Sequence, residues 1–200
     1  MHGLKALLHN RAPLLTILVL ICVGTTVWGA STSLGNDFAE RRITIGAKIF
    51  RALLAADVDI AQKVDSNGNL RLCLLYVNDA DKAEIAAATL RNRDETRIRK
   101  FDVNLEISPF SECVGDNAKG LAGIFLTQAL SNEQLKALME CAKTNRIVVF
   151  SPLEGDVERG VHGGIAVEAR VRPYLNMKAL RETQVRLKSF FIRVAKSHED

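Results

Sequence analysis

Apolar and polar positions along this chain switch between two periods. From Glu40 to Ala56, Ile43, Ala47, Phe50 and Leu54 recur at helical spacing, and Ile49 and Leu53 widen the stripe. The pattern predicts an amphipathic helix with one buried side. The turn formers Asp65, Ser66, Asn67, Gly68 and Asn69 follow. Leu70 to Val77 then reads as a strand that is apolar on both faces, with Leu72, Leu74 and Tyr76 pointing one way and Cys73, Leu75 and Val77 the other. Asn78 or Asp79 can cap the next helix, whose stripe is Ala83, Ala86, Ala87 and Leu90.

A charged stretch from Arg91 to Lys100 leads into a short alternating strand at Val103 to Ile107, a loop through Pro109 and Cys113, and an apolar run at Leu121 to Leu126. Ser131 and Gln134 have the spacing of a capping box, because each side chain can take the other residue's backbone amide. The helix behind it runs to about Lys143, with Leu135, Leu138, Met139 and Ala142 turned inward, and Ile147 to Phe150 is a buried strand. Strands and helices therefore alternate from Leu70 to Phe150, which predicts a mostly parallel sheet covered on both faces. Beyond the glycine-rich loop Gly155 to Gly164, the residues Ile165, Val167, Ala169 and Val171 alternate with Glu168, Arg170 and Arg172. One antiparallel edge strand with a wet face is expected there. A last helix from about Met177 to Leu187 and the apolar residues Phe190, Phe191, Ile192 and Val194 precede a charged tail over 197–200. The fold class is α/β: a single three-layer domain with a mostly parallel central sheet and an antiparallel edge.

The amino terminus changes the picture. Lys5 and Arg11, with no acid nearby, precede an apolar run from Leu14 to Val27, and the small residues Gly29, Ala30, Ser31 and Ser33 close it. That is the layout of an export signal. The run is broken by Thr16, Gly24, Thr25 and Thr26, and a spanning helix needs roughly twenty mainly apolar residues. Residues 1–30 are therefore read as a signal peptide, 31–40 as a linker, 41–196 as the domain and 197–200 as a tail. The expected location is periplasmic; the alternative is an inner-membrane anchor made by residues 14–28. Without Lys5 and Arg11, the 27 basic residues become 25 against 23 acidic ones, which is no nucleic-acid footprint.

Candidate chemistry is sparse. The glycine-rich loop lacks a following Gly-Lys-Ser or Gly-Lys-Thr and enters a strand, where a phosphate-binding loop would open a helix. Its four glycines suit turns that need positive backbone dihedrals. Asp156, Glu158, Arg159 and His162 share the loop, and the other histidine of the exported chain is His198 at the end. No catalytic or metal site is assembled from these, and the loop reads as solvated, with Glu158, Arg159 and His162 as binding candidates together with Arg170 and Arg172 on the strand that follows. Ser108, Ser111 and Ser151 lack the setting of an activated nucleophile. No cofactor is called for. From Arg170 onward eight basic residues face three acidic ones, a charge excess that suits a solvated face, an acidic partner or an anionic lipid surface. Cys73, Cys113 and Cys141 remain after export, so in an oxidising compartment two can pair and one is left over.

The strand Leu72-Cys73-Leu74-Leu75-Tyr76 after an amphipathic helix, the second cysteine Cys113, Gly163-Gly164-Ile165 ahead of Asn176, and the closing segment Leu187 to Lys196 resemble the YfiR family (DUF4154) of small periplasmic proteins. The resemblance spans Ile43 to Lys196. It implies a compact α/β domain without catalytic activity, able to form a homodimer, that acts by protein–protein contact. The implied partner is a membrane protein with a periplasmic domain, such as an inner-membrane diguanylate cyclase repressed in cyclic-di-GMP signalling. It also implies a Cys73–Cys113 disulfide, whose loop of about forty residues is worth roughly 3 to 4 kcal/mol. Cys141 departs from the family's second cysteine pair, having no partner left. The alternative function is a periplasmic small-molecule or anion-binding protein using the same loop; a hydrolase comes third.

Overall fold

The computed structural model describes residues 30–91 and 97–199, with side chains from Asp37 onward. The signal-peptide reading for residues 1–29 lies outside the described residues. The chain divides into two compact units, Met1–Ala39 and Glu40–Asp200. Of the first, the described part is the start of helix α1, which runs Ala30–Ala56 and so extends over the segment 31–40 read as a linker.

The second unit is the α/β domain. Its elements are the rest of α1, β1 (Leu70–Tyr76), α2 (Asp81–Leu90), β2 (Arg97–Ile98), β3 (Phe101–Pro109), β4 (Leu121–Leu126), α3 (Asn132–Asn145), β5 (Val148–Phe150), β6 (Gly163–Val167), β7 (Val171–Asn176), α4 (Met177–Glu182), α5 (Ser189–Val194) and β8 (Lys196–His198). The eight strands form one sheet in the order β2-β3-β1-β4-β5-β6-β7-β8. Strands β3, β1, β4, β5 and β6 are mutually parallel, while β2 pairs antiparallel to β3 and β7 antiparallel to β6, with β8 parallel to β7 at the edge. In chain order the parallel strands read 2-1-3-4-5, an order of the doubly wound α/β folds. The α/β class and the mostly parallel sheet with an antiparallel edge are as the alternation of patterns predicts, and β2 adds antiparallel pairing on the other side.

Two apolar cores sandwich the sheet. On one face Ile43, Ala47, Phe50, Leu53 and Leu54 of α1 and Ala83, Ala86 and Ala87 of α2 bury Leu70, Leu72 and Leu74, and Phe191 of α5 joins them. Phe50 sits 5.6 Å from Phe125 and 5.8 Å from Phe150, ring centre to ring centre, which fastens α1 over β4 and β5. On the other face Leu135, Leu138 and Ala142 of α3 cover Ile124, Leu126 and Val149. Cys73 and Cys113 lie in this second core, joined by a disulfide. Cys141 is free and half-buried against the same core.

Four local readings change. The alternating run at Ile165 to Val171 is not one strand: the chain reverses at 168–170, and β6 and β7 pair from Val167↔Val171 to Gly163↔Leu175. Alternation alone carries no sign of a reversal whose turn residues are Glu, Ala and Arg. The last helix stops at Glu182, because Gln184 takes a positive φ of 59° and the chain leaves the helical path. The segment 197–200 is not wholly a tail, since Ser197 and His198 pair with Leu175 and Asn176 in β8. Helix α2 is preceded by Ala80, with no side-chain cap; Asp79 instead accepts the amide of Asp81 at 2.9 Å. The capping box at Ser131 and Gln134 forms in both directions.

Candidate functional site

Open parallel sheets bind ligands outside the carboxyl ends of their strands, where the chain order reverses. Here that point lies between β1 and β4. The first amides beyond β1 belong to Val77 and Asn78, and both donate to Gln128 Oε1, at 2.7 and 2.9 Å. Gln128 Nε2 in turn donates to the Asp79 carbonyl at 2.7 Å. Thr127 closes the adjoining position, its amide and hydroxyl both donating to the Leu75 carbonyl. A side chain of β4's own exit loop thus occupies the backbone groups that a ligand would use. No sequence signal singled out Gln128, since one glutamine in a loop has no pattern around it.

The Gly155 to Gly164 loop is not the solvated loop expected. Gly155 and Gly160 do take positive φ values of 84° and 108°, and between them the chain folds inward. Asp156 is buried; its Oδ2 accepts from the Ser151 hydroxyl at 2.6 Å and its Oδ1 from Arg159 at 2.8 Å. Arg159 also donates to the Leu130 carbonyl and to Asn132 Oδ1. Its guanidinium is therefore a brace between the loop and the start of α3. Asn176 clamps the same loop, donating to the Val157 carbonyl at 2.8 Å while its Oδ1 caps α4 at Ala179.

His162 is fully buried, so it is not a surface contact. Its Nδ1 accepts the Val149 amide at 3.0 Å, which places the proton on Nε2, where the ring donates to Thr183 Oγ1 at 2.6 Å. Burial, and after it the charge of Lys63, push its pKa from 6.5 down to about 3, against a small opposing pull from the Ala179 carbonyl. The neutral ring ties β5 to the segment after α4. A buried imidazole needs both nitrogens satisfied, and sequence gave no means of telling this histidine from an exposed one.

The remaining candidates separate. Glu158 is exposed, and Arg170 is exposed in the β6–β7 turn. Arg172 donates to Glu168 at 2.6 Å across that hairpin, and this contact holds the Glu168 carboxyl below its ordinary range. Val167 and Val171, directly opposite each other, are 59% and 43% exposed. Glu158, Val167 and Glu168 border one shallow pocket of about 170 Å³. The structure therefore brings Glu158, Arg170 and Arg172 to one end of the domain, buries His162, and engages the guanidinium of Arg159, whose surface stays exposed, in the brace to α3.

Beside α3, a groove of about 490 Å³ runs between that helix and α4, with Lys136, Lys143, Glu158 and Lys178 on its walls and Thr183 on its floor. Among the described residues no group of three His, Cys, Asp or Glu side chains is placed to hold a metal ion. No helix among them is long and apolar enough to cross a membrane.

No protein-family model and no curated protein matches the chain. Among solved structures it is similar to the ABC domain in complex with L-Trp from Streptococcus pneumonia, at 9% identity and a TM-score of 0.46, over 72% of this chain and 62% of that one. A conserved domain protein from Vibrio cholerae O1 biovar El Tor aligns at 10% identity and a TM-score of 0.47, over 72% and 58%. The ligand-free, open structure of a substrate binding protein with adhesive properties from Clostridium difficile aligns at 14% identity and a TM-score of 0.46, over 72% and 60%. The chain spans about three fifths of the length of these structures.

Proposed function

We propose that this chain is an exported regulatory binding module that acts by protein–protein contact and carries no catalytic activity, as its resemblance to the YfiR family implies. The observation that carries the reading is the closed crevice at the β1/β4 reversal. The place where this topology would take a small molecule is filled by Gln128, while Asp156 of the glycine-rich loop is spent on Ser151 and Arg159. The buried Cys73–Cys113 disulfide supports an oxidising compartment, periplasmic or extracellular.

The contact surface in this reading is the tip of the β6–β7 hairpin, where Val167 and Val171 are exposed beside Arg170, with Glu158 next to it. The partner in this reading is the periplasmic part of a membrane protein, and an inner-membrane diguanylate cyclase is the first to test. Co-expression should lower cellular cyclic-di-GMP, and Arg170→Glu with Val171→Ser should restore it at equal protein level. An unchanged nucleotide level with the parent chain excludes the cyclase as partner. Full repression by the double variant excludes the hairpin tip.

The groove between α3 and α4 favours a second reading, a small polar ligand held by its lysines. A ligand at a hundred times its dissociation constant adds about 2.7 kcal/mol to stability, so a thermal-shift screen with and without Lys136→Glu distinguishes the two.

A further inference from the structure

At the opposite end of the sheet, where the parallel strands begin, the chain forms a hollow of about 580 Å³ with Asp59, Gln62, Arg146, Arg181, Gln184 and Arg186 on its walls. Three guanidinium groups and two amides face one carboxylate there. That carboxylate is already taken: Arg186 grips Asp59 through two nitrogens, at 2.9 and 2.6 Å. The grip lowers the Asp59 pKa, with smaller pulls from Lys63 and Arg146.

Arg146 and Arg181 have no acidic partner among the described residues, and both are exposed. Two left-handed residues shape the hollow. Arg146 itself ends α3 with φ 55°, and Gln184 turns the chain after α4 with φ 59°. These turns, which most residues avoid, carry the ends of two separate helices to the rim of one hollow. Surface arginines are normally spread or paired; here the two without a carboxylate flank the one that has it. Guanidinium groups suit phosphate because their parallel N–H donors match its oxygens.

We propose that this hollow binds a phosphate group, with Arg146 and Arg181 as its ligands and the Asp59–Arg186 pair as its wall. The inference is independent of the hairpin contact. A phosphate can reach it on a free small molecule or on a lipid headgroup, and the two sources separate experimentally.

The test uses the exported chain and two probes at low ionic strength. Glycerol phosphate is titrated by calorimetry, and vesicles of phosphatidylcholine with and without phosphatidylglycerol are sedimented with the protein. Saturable binding is expected in at least one arm, and the arm identifies the source. Arg146→Gln and Arg181→Gln should each weaken it about tenfold, the size of one lost charge-assisted contact. Asp59→Asn should strengthen binding, because it removes the competing carboxylate and frees Arg186; a hollow with a merely structural role gives no such gain. Thermal melts of each variant confirm that it folds. Absence of binding in both arms overturns the proposal, and so does binding that survives both arginine substitutions.

Discussion

The two ends of the parallel sheet are built on opposite plans. At the carboxyl end the backbone groups beyond β1 are satisfied by a neutral side chain, Gln128, and the glycine-rich loop buries Asp156 between Ser151 and Arg159. At the amino end the groups are charged and only partly matched. Lys63 and Asp57 form an ion pair at 2.6 Å with 11% and 0% of their side chains exposed, and neither Lys63 Nζ nor Asp57 Oδ2 has another partner among the described residues. Next to them stand the Asp59–Arg186 pair and two arginines without an acid. In this domain the crevice that usually binds is filled by Gln128, and the end that usually serves stability holds arginines without an acid.

Removing one member of the buried pair is the largest effect expected. Asp57→Ala leaves Lys63 with an uncompensated charge and should cost about 3 to 5 kcal/mol in denaturant unfolding. Replacing both, as Asp57→Leu with Lys63→Met, should recover most of that loss; a double variant as unstable as the single one would mean that the pair also fixes the backbone after α1. Next in size is the second face of the sheet. Cys73→Ala with Cys113→Ala opens a bridge spanning 40 residues and should cost about 3 to 4 kcal/mol. Mass mapping of the oxidised protein should find this bridge, with Cys141 free.

Periodicity located α1, β1, α2, β4, α3 and β5 because each turns a repeated apolar stripe toward a core, and the Ser131/Gln134 spacing is a local signal that needs no tertiary context. The hairpin of β6 and β7 escaped because its reversal uses no glycine, proline or asparagine. Strand β2 escaped because two residues carry no period. His162 shows the limit at the level of the site: a histidine in a polar, glycine-rich segment reads as solvated, and only the pairing of β5 with β6 buries it. Arg181 and Arg186 belong to the basic excess from Arg170 onward, Arg146 lies outside it, and the convergence of the three is tertiary.

His162 gives a pH test of the buried bonds that tie β5 to the segment after α4. Its folded pKa of about 3 lies below the ordinary 6.5, so between those values the unfolded chain binds a proton that the folded chain refuses. Stability is therefore complete above pH 6.5 and falls as the pH drops toward 3. From pH 7 to pH 4 this one residue should cost on the order of 3 kcal/mol. His162→Gln can keep a hydrogen bond without titrating, and should lose less stability over that range than the parent chain. Equal losses in both would assign the acid sensitivity to the carboxylates.

The smallest effect expected is the most informative about the sealed end. Gln128→Ala removes one acceptor shared by two amides and one donor to the Asp79 carbonyl. Because Gln128 is only half-buried, water can take over part of that role, and the cost should be about 1 to 2 kcal/mol. The amide protons of Val77 and Asn78 should exchange faster in the variant while those of β1 stay protected. If Gln128 only plugs the crevice, its removal creates an anion-accessible pair of amides at the carboxyl end, and phosphate should then protect Val77 and Asn78 in the variant but not in the parent. If the loop after β1 instead collapses and its protection is lost across Val77 to Ala80, Gln128 is part of the fold's frame and the crevice was never a latent site.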